Sequence, residues 1–250
     1  MIRTWKVKIP ALSGQTERLV YLYLPDDWQT AQRRYPVLYM FDGHNVFFDS
    51  HATYGKSWGM GEYLDENKKQ LIIVAVECNH EGNSRLSEYS PVDIDFSETE
   101  KVKGRGKEYM DWLVGVLKPY IDANYPTLPD REHTSIAGSS MGGLMSLYAV
   151  CAYNHIFNKA ACISPSFWVN KDKVLEIVET SDLASDTSIY IDYGSLELPN
   201  HPTSSEALFA VARLLLTRRV NVMMKIIPGG THSESSWEKQ IPVFMQFLGL

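Results

Sequence analysis

The chain has 250 residues, 44% hydrophobic and 22% charged, and its 24 basic and 30 acidic side chains give a formal net charge of −6. That is a globular composition with enough chain to bury one sizeable core. The acidic balance leaves no electrostatic footprint for nucleic acid, no Lys/Arg run marks a membrane surface, and no apolar stretch approaches the roughly 18 residues of a membrane span.

In chain order, Met1–Pro10 carries neither an apolar signal core nor a small-residue cleavage site, so cytoplasm is the expected location. Thr4–Ile9 and Arg18–Leu24 alternate polar and apolar residues, which predicts half-buried antiparallel strands. Val37–Phe41, Leu71–Val76, Thr134–Ala137, Lys159–Ile163, Ser188–Tyr193 and Asn221–Ile227 are short apolar runs, as buried parallel strands are. Helical patterns fall at about Trp58–Asn67, Lys107–Asn124, Met141–Tyr153, Lys171–Thr180, Ser204–Thr217 and Glu234–Leu248. An antiparallel start followed by strand–helix alternation predicts an α/β domain over residues 1–250, its sheet covered by helices on both faces. Asn79–Lys107 is the longest stretch without periodicity, and a loop of that length is usually functional or mobile. Cys78, Cys151 and Cys162 lie in or beside apolar stretches without a C-x-x-C pair, which predicts buried free thiols in a reducing compartment.

The pattern G-x-S-x-G occurs at Gly55–Gly59 and again at Gly138–Gly142. A nucleophile elbow needs a strand running into a sharp turn that opens a helix. Ser140 follows the apolar run Thr134–Ala137 and precedes a helical run from Gly143, so it has that context. Ser57 follows the polar loop His51–Lys56 and reads as a helix N-cap. Ser140 is therefore the candidate nucleophile, and the Met141 amide at the start of its helix the first oxyanion donor.

A serine nucleophile needs a base and a group that orients the base, in the chain order Ser, Asp or Glu, His. His155 follows the elbow helix and reads as a surface residue, and His201 lies in the turn Pro199–Pro202. His232 lies just beyond the last strand, at the carboxyl edge of the sheet where open α/β folds place their chemistry, and is the candidate base. Two carboxylates compete to orient it. Asp192 sits at a strand end, where capping the next turn is its ordinary role; Glu197 projects from the loop that must reach His232, and reach favours it. Glu234 reads as a helix-start carboxylate placed by the dipole. The second oxyanion amide is expected from His44, exposed by a backbone turn at Gly43.

Several further segments coincide with these: Met40–Asn45, Ser57–Gly59, Arg85–Pro91, Gly138–Gly143, Ser164–Trp168, Ile191–Glu197 and Gly229–Glu234. Together they make the chain resemble the esterase branch of the α/β-hydrolases, which holds enterochelin-esterase-like siderophore esterases, S-formylglutathione hydrolases, feruloyl esterase domains and mycolyltransferases. The resemblance implies an α/β-hydrolase fold, with a mostly parallel eight-stranded sheet and antiparallel N-terminal strands. It implies Ser140, His232 and an acid three residues past Gly194, hence Glu197, with oxyanion amides from Met141 and His44. No cofactor is expected, and the resemblance leaves the substrate open among siderophore, feruloyl, thioester and simple carboxylic esters.

Only about 24 residues, Ser164–Thr187, separate two strands where lids are often inserted, so an open cleft is expected. No HExxH occurs, and His44, His51 and His80 lack ligand-like spacing, so no metal is expected. Gly104–Lys107 resembles a phosphate loop faintly but has no nucleotide-binding context. Arg85 is a candidate for a substrate anion, with a structural ion pair as the alternative. Trp58, Tyr89, Phe167, Trp168 and Trp237 fall near the cleft as a candidate aromatic wall, individually with core packing as the alternative. The expected reaction is acyl transfer from a small-molecule ester through Ser140 to water. The alternatives are an acyltransferase using the same groups and a non-catalytic binding module.

Overall fold

The computed structural model describes residues 1–13, 16–97, 99–198 and 202–250. Its main sheet has eight strands: β1 (Ile2–Lys8), β2 (Glu17–Tyr23), β3 (Val37–Met40), β4 (Ile72–Val76), β5 (Thr134–Ser139), β6 (Lys159–Ile163), β7 (Ser188–Gly194) and β8 (Asn221–Ile227). They lie in the order β1-β2-β4-β3-β5-β6-β7-β8. β1 pairs antiparallel with β2, and β2 antiparallel with β4; every later pairing is parallel.

Burial explains the difference in sequence pattern. Every residue of β3, β4 and β5 is buried, so these strands read as continuous apolar runs, whereas β1 alternates exposed and part-buried positions. Side chains leave the sheet alternately to its two faces. On β3, Val37 and Tyr39 join one core, and Leu38 and Met40 the other. The second core is closed by α1 (Met60–Glu66) and by α7 (Glu234–Glu238) with α8 (Ile241–Leu248), through Met60, Leu64, Trp237 and Phe244. The first is closed by the helical segment α3 (106–124), α4 (Met141–Ala152), α5 (Lys171–Thr180) and α6 (Pro202–Thr217).

Two predicted helices differ in detail. The segment 106–124 contains a π-helical stretch at Leu113–Leu117. The predicted Glu234–Leu248 helix is broken between Glu238 and Ile241, where Pro242 sits in the first turn of α8; proline favours that position because it has no N–H to donate. The excursion 79–107 is ordered by α2 (Ser84–Glu88) and a two-residue ribbon, Ile94–Asp95 with Lys101–Val102.

Register levels the carboxyl ends of the parallel strands. Met40 pairs with Ala75 and Ala137, Ser139 with Ile163, Ile163 with Asp192, and Gly194 with Ile227. The turns that follow β3, β4, β5, β6, β7 and β8 therefore emerge along one edge.

Candidate active site

Ser140 sits on the turn between β5 and α4 with φ 57° and ψ −120°, a left-handed conformation that costs a non-glycine residue about 1–3 kcal/mol. Its neighbours hold it there. Its amide donates to Ile163 O (2.9 Å), and its carbonyl accepts from Ser166 N–H (3.0 Å). A Cβ on Gly142 would lie 2.9 Å from Phe41 Cβ and 3.6 Å from Asp42 Oδ2, so the elbow and the turn after β3 are in contact only because that position is glycine. Ser140 Oγ lies 3.3 Å from Ser166 Oγ. Met141 opens α4, so its amide has no acceptor within the helix.

The turn after β3 departs from the sequence expectation. The residue with positive φ is Asp42 (54°), not Gly43. Gly43 is needed for close approach: a Cβ there would lie 2.7 Å from the carbonyl carbon and oxygen of Ala75 on β4. Asp42 is held by a two-pronged ion pair with Arg85, Nε to Oδ1 (2.8 Å) and Nη2 to Oδ2 (2.7 Å). Burial acts to raise the Asp42 carboxyl, but the charge and hydrogen bonds of Arg85 outweigh it and hold the group below the usual carboxylate range. The His44 amide precedes the turn's first internal hydrogen bond, from Asn45 N–H to Asp42 O (2.8 Å).

His232 Nδ1 lies 2.6 Å from Glu197 Oε2. The other Glu197 oxygen accepts from the Gly194 amide (2.9 Å) and from Ser164 Oγ (2.8 Å), whose own oxygen accepts from Trp237 Nε1 (3.0 Å). The His232 ring stands edge-on to Trp237, with centroids 5.1 Å apart. The two loops are stitched together by the Leu196 amide to Gly230 O (3.0 Å) and the Gly229 amide to Ser195 Oγ (2.9 Å). Asp192 faces elsewhere, accepting from Tyr190 Oη (3.0 Å) and the Ser164 amide (3.2 Å), and burial pushes its carboxyl up to about 7.

Ser140 and His232 together line two adjoining cavities. One, of about 390 Å³, also takes in Asp42, His44, His80 and Arg85. The other, of about 290 Å³, takes in Ser166, Trp168, Tyr193 and Leu196. A larger cavity of about 660 Å³ lies apart, beside Arg131, Cys151 and His155. Burial pushes the Cys151 thiol there up to about 12, so it supplies no thiolate nucleophile.

The structure does not bring every aromatic candidate to the cleft. Trp168 lines the smaller cavity and Trp237 the larger of the two. Trp58 is 3% exposed and packs on Trp237 and Phe244. Tyr89 is fully buried; its hydroxyl accepts from the Asp42 amide (3.1 Å) and donates to Val76 O (3.4 Å), so it braces the turn. Phe167 is buried in the core. Ser57 lies before α1, whose N-cap is Gly59; its hydroxyl donates to Asp49 (2.8 Å) and accepts from the Gly59 amide (3.2 Å). His201 lies outside the described residues.

Sequence reasoning gave no role to Ser164 or Ser166, and did not foresee the bond from Asn45 Nδ2 to Glu234 Oε1 (3.2 Å), which ties the histidine loop to the β3 turn. Two signals pointed to the serines: the segment Ser164–Trp168 is among those that carry the family resemblance, and it follows a buried strand at the same edge as Ser140.

The family model described as "Putative esterase" matches residues 12–248. The chain belongs to that family. Its reaction class is ester hydrolysis. The family member is 25% identical over 180 residues to the Bacillus subtilis protein YbbA, covering 70% of this chain and 67% of YbbA. The crystal structure of the BES protein from Bacillus cereus superposes with a TM-score of 0.74 at 22% identity, over 99% of this chain and 94% of that one. The enterobactin and salmochelin hydrolase IroE superposes with a TM-score of 0.69 at 20% identity, over 100% and 95% of the two chains. With the strand order above, these likenesses establish the α/β-hydrolase fold. Among the described residues, no helix of this esterase is long and apolar enough to cross a membrane.

Proposed function

We propose that the chain acts as one unit, a serine carboxylic-ester hydrolase in which Ser140 is the nucleophile, His232 the base and Glu197 the acid that orients it. The observation that carries this reading is the 2.6 Å contact between His232 Nδ1 and a Glu197 carboxylate whose other oxygen is already held by two donors. Glu197 is 5% exposed, so it meets the imidazole in a fixed orientation and stabilises the imidazolium that forms during attack. With Nδ1 occupied, Nε2 is the nitrogen left to take the Ser140 proton.

Attack on the ester carbonyl forms a tetrahedral oxyanion, received by the amides of Met141 and His44. His232 returns its proton to the leaving alkoxide, and water then resolves the acyl-enzyme by the same steps in reverse. Trp168, Tyr193 and Leu196 give the smaller cavity an aromatic and apolar wall suited to an aryl or short alkyl acyl group. The likeness to IroE supports including siderophore-type esters among the substrates tried. Arg85 lines the polar cavity, but its two-pronged pairing with Asp42 makes bracing the oxyanion turn its first role.

The test is turnover of p-nitrophenyl butyrate. Ser140→Ala should lower kcat by at least about 10³-fold, and Ser57→Ala should retain activity. Equal rates for wild type and Ser140→Ala contradict the reading. A panel of aryl, short aliphatic and siderophore esters then ranks the substrates.

A further inference from the structure

One wall of the larger catalytic cavity gathers three ligand-type side chains from two separate stretches of the chain. His44 lies in the turn after β3, and Cys78 and His80 follow β4, the strand paired beside it. One ligand atom from each lies within 4.8 Å of the other two, and the imidazole centroids of His44 and His80 are 4.6 Å apart.

Both rings are oriented by a partner on Nε2. His80 Nε2 lies 3.2 Å from Glu77 Oε1; a carboxylate can only accept, so Nε2 carries the proton and Nδ1 presents its lone pair to Cys78 Sγ, 3.9 Å away. His44 Nε2 lies 3.0 Å from Thr53 Oγ1, and its Nδ1 is buried with no hydrogen-bond partner. His44 is 4% exposed, so that orphan nitrogen is shut off from bulk water, an unfavourable state for a polar atom. A carboxylate behind a histidine is the usual outer support of a metal ligand, fixing its tautomer and raising its basicity.

We propose that His44, Cys78 and His80 form a zinc-binding site in the wall of the catalytic cavity, and that its occupation lowers ester turnover. Two imidazoles and a thiolate suit zinc and disfavour magnesium or calcium, which take oxygen donors. Closing the three groups onto a tetrahedral ion takes side-chain shifts on the order of 1 Å, given metal–ligand distances of about 2.0–2.3 Å. Burial and the nearby Asp42 carboxylate keep the Cys78 thiol protonated in the metal-free protein, so the ion itself displaces that proton: coordination exchanges the Cys78 S–H bond for an S–Zn bond and releases one proton to solvent, with no change of oxidation state. Three protein ligands leave a fourth position open. Because the same residues line the cavity shared by Ser140 and His232, the ion and the group it holds take space that a bound ester needs.

The experiment titrates metal-free protein with Co²⁺, reads the thiolate charge-transfer band, and displaces the cobalt with Zn²⁺. One equivalent should bind, and the band should be lost in Cys78→Ser. His80→Ala, at a half-exposed side chain, should weaken binding by more than tenfold, and Glu77→Gln by about 10–100-fold. Ser140→Ala should bind as wild type does, which separates this site from the assignment of the nucleophile. Zinc should lower kcat/KM of the wild type and leave that of His80→Ala unmoved by comparison. No uptake, or uptake unaltered in both Cys78→Ser and His80→Ala, overturns the site; uptake without loss of turnover overturns its effect on the reaction.

Discussion

Asp192, near the end of β7, and Glu197, in the loop that follows it, differ in what their carboxylates touch. Glu197 meets His232, whereas Asp192 is spent on Tyr190 and the Ser164 amide. Glu197→Gln should lower kcat by about 10²–10⁴-fold, since an amide there can favour the wrong imidazole tautomer. Asp192→Asn, which keeps an acceptor for Tyr190, should stay within about tenfold of wild type. Steady-state kinetics of the two variants decide between the carboxylates. Asp192 also makes a prediction about stability. Its carboxyl rises from 3.8 to about 7 on folding, so between those values the folded chain holds a proton that the unfolded chain has released. Its contribution to stability is therefore greatest at low pH and is lost as pH rises through that window. The thermal midpoint of Asp192→Asn minus that of wild type should grow from about pH 4 to about pH 7 and then level off; a constant difference contradicts the assignment.

At the scale of elements, the turn after β3, proposed to supply an oxyanion amide, depends on a strand end rather than on a flexible glycine. Asp42 carries the left-handed backbone, Arg85 and Tyr89 hold it, and Gly43 lets it press against β4. A methyl at Gly43 must displace the β4 backbone, so Gly43→Ala should lower kcat by about 10²-fold, the scale of one lost oxyanion donor, with little change in KM. An unchanged kcat would remove this turn from the oxyanion site. The sequence made the turn visible as Asp-Gly after an apolar run, but not which residue would bear the positive φ. The glycine answers instead to a contact with Ala75, 32 positions away. The elbow was legible because strand, small residues and helix are contiguous in the chain. Trp58 and Tyr89 were not, because nearness to a motif in sequence does not say which way a side chain leaves the backbone. The single predicted C-terminal helix failed for a local reason: Pro242 opens a new helix instead of continuing the old one.

Across the whole molecule, the site is a product of sheet register. Ser140, Glu197 and His232 come from three loops that the parallel ladder β5-β6-β7-β8 brings to one edge. Alternating hydrophobicity and strand–helix order were enough to foresee that sheet, its antiparallel start and its two helical faces. The same register brings His44 beside Cys78 and His80, a convergence that short-range spacing cannot reveal because β3 and β4 are separated by α1. The excursion 79–107, which supplies Arg85 and one cavity wall, is anchored to β2 by the buried pair of Arg18 Nη2 with Glu88 Oε2 (3.1 Å). The other Glu88 oxygen accepts from the Asn79 amide (2.6 Å). Glu88→Ala would leave Arg18 buried without a counter-charge, at a cost of about 3–5 kcal/mol. The thermal midpoint should fall by about 10 °C; a fall of less than about 2 °C would show that the excursion is held some other way.

The central claim, that Ser140 is the activated nucleophile, is tested most directly by labelling with a fluorophosphonate and mapping the adduct by peptide mass. The account predicts one adduct on Ser140, absent from Ser140→Ala, retained in Ser57→Ala and formed more slowly in Glu197→Gln. An adduct on another serine, or none on folded protein that still hydrolyses esters, would contradict it.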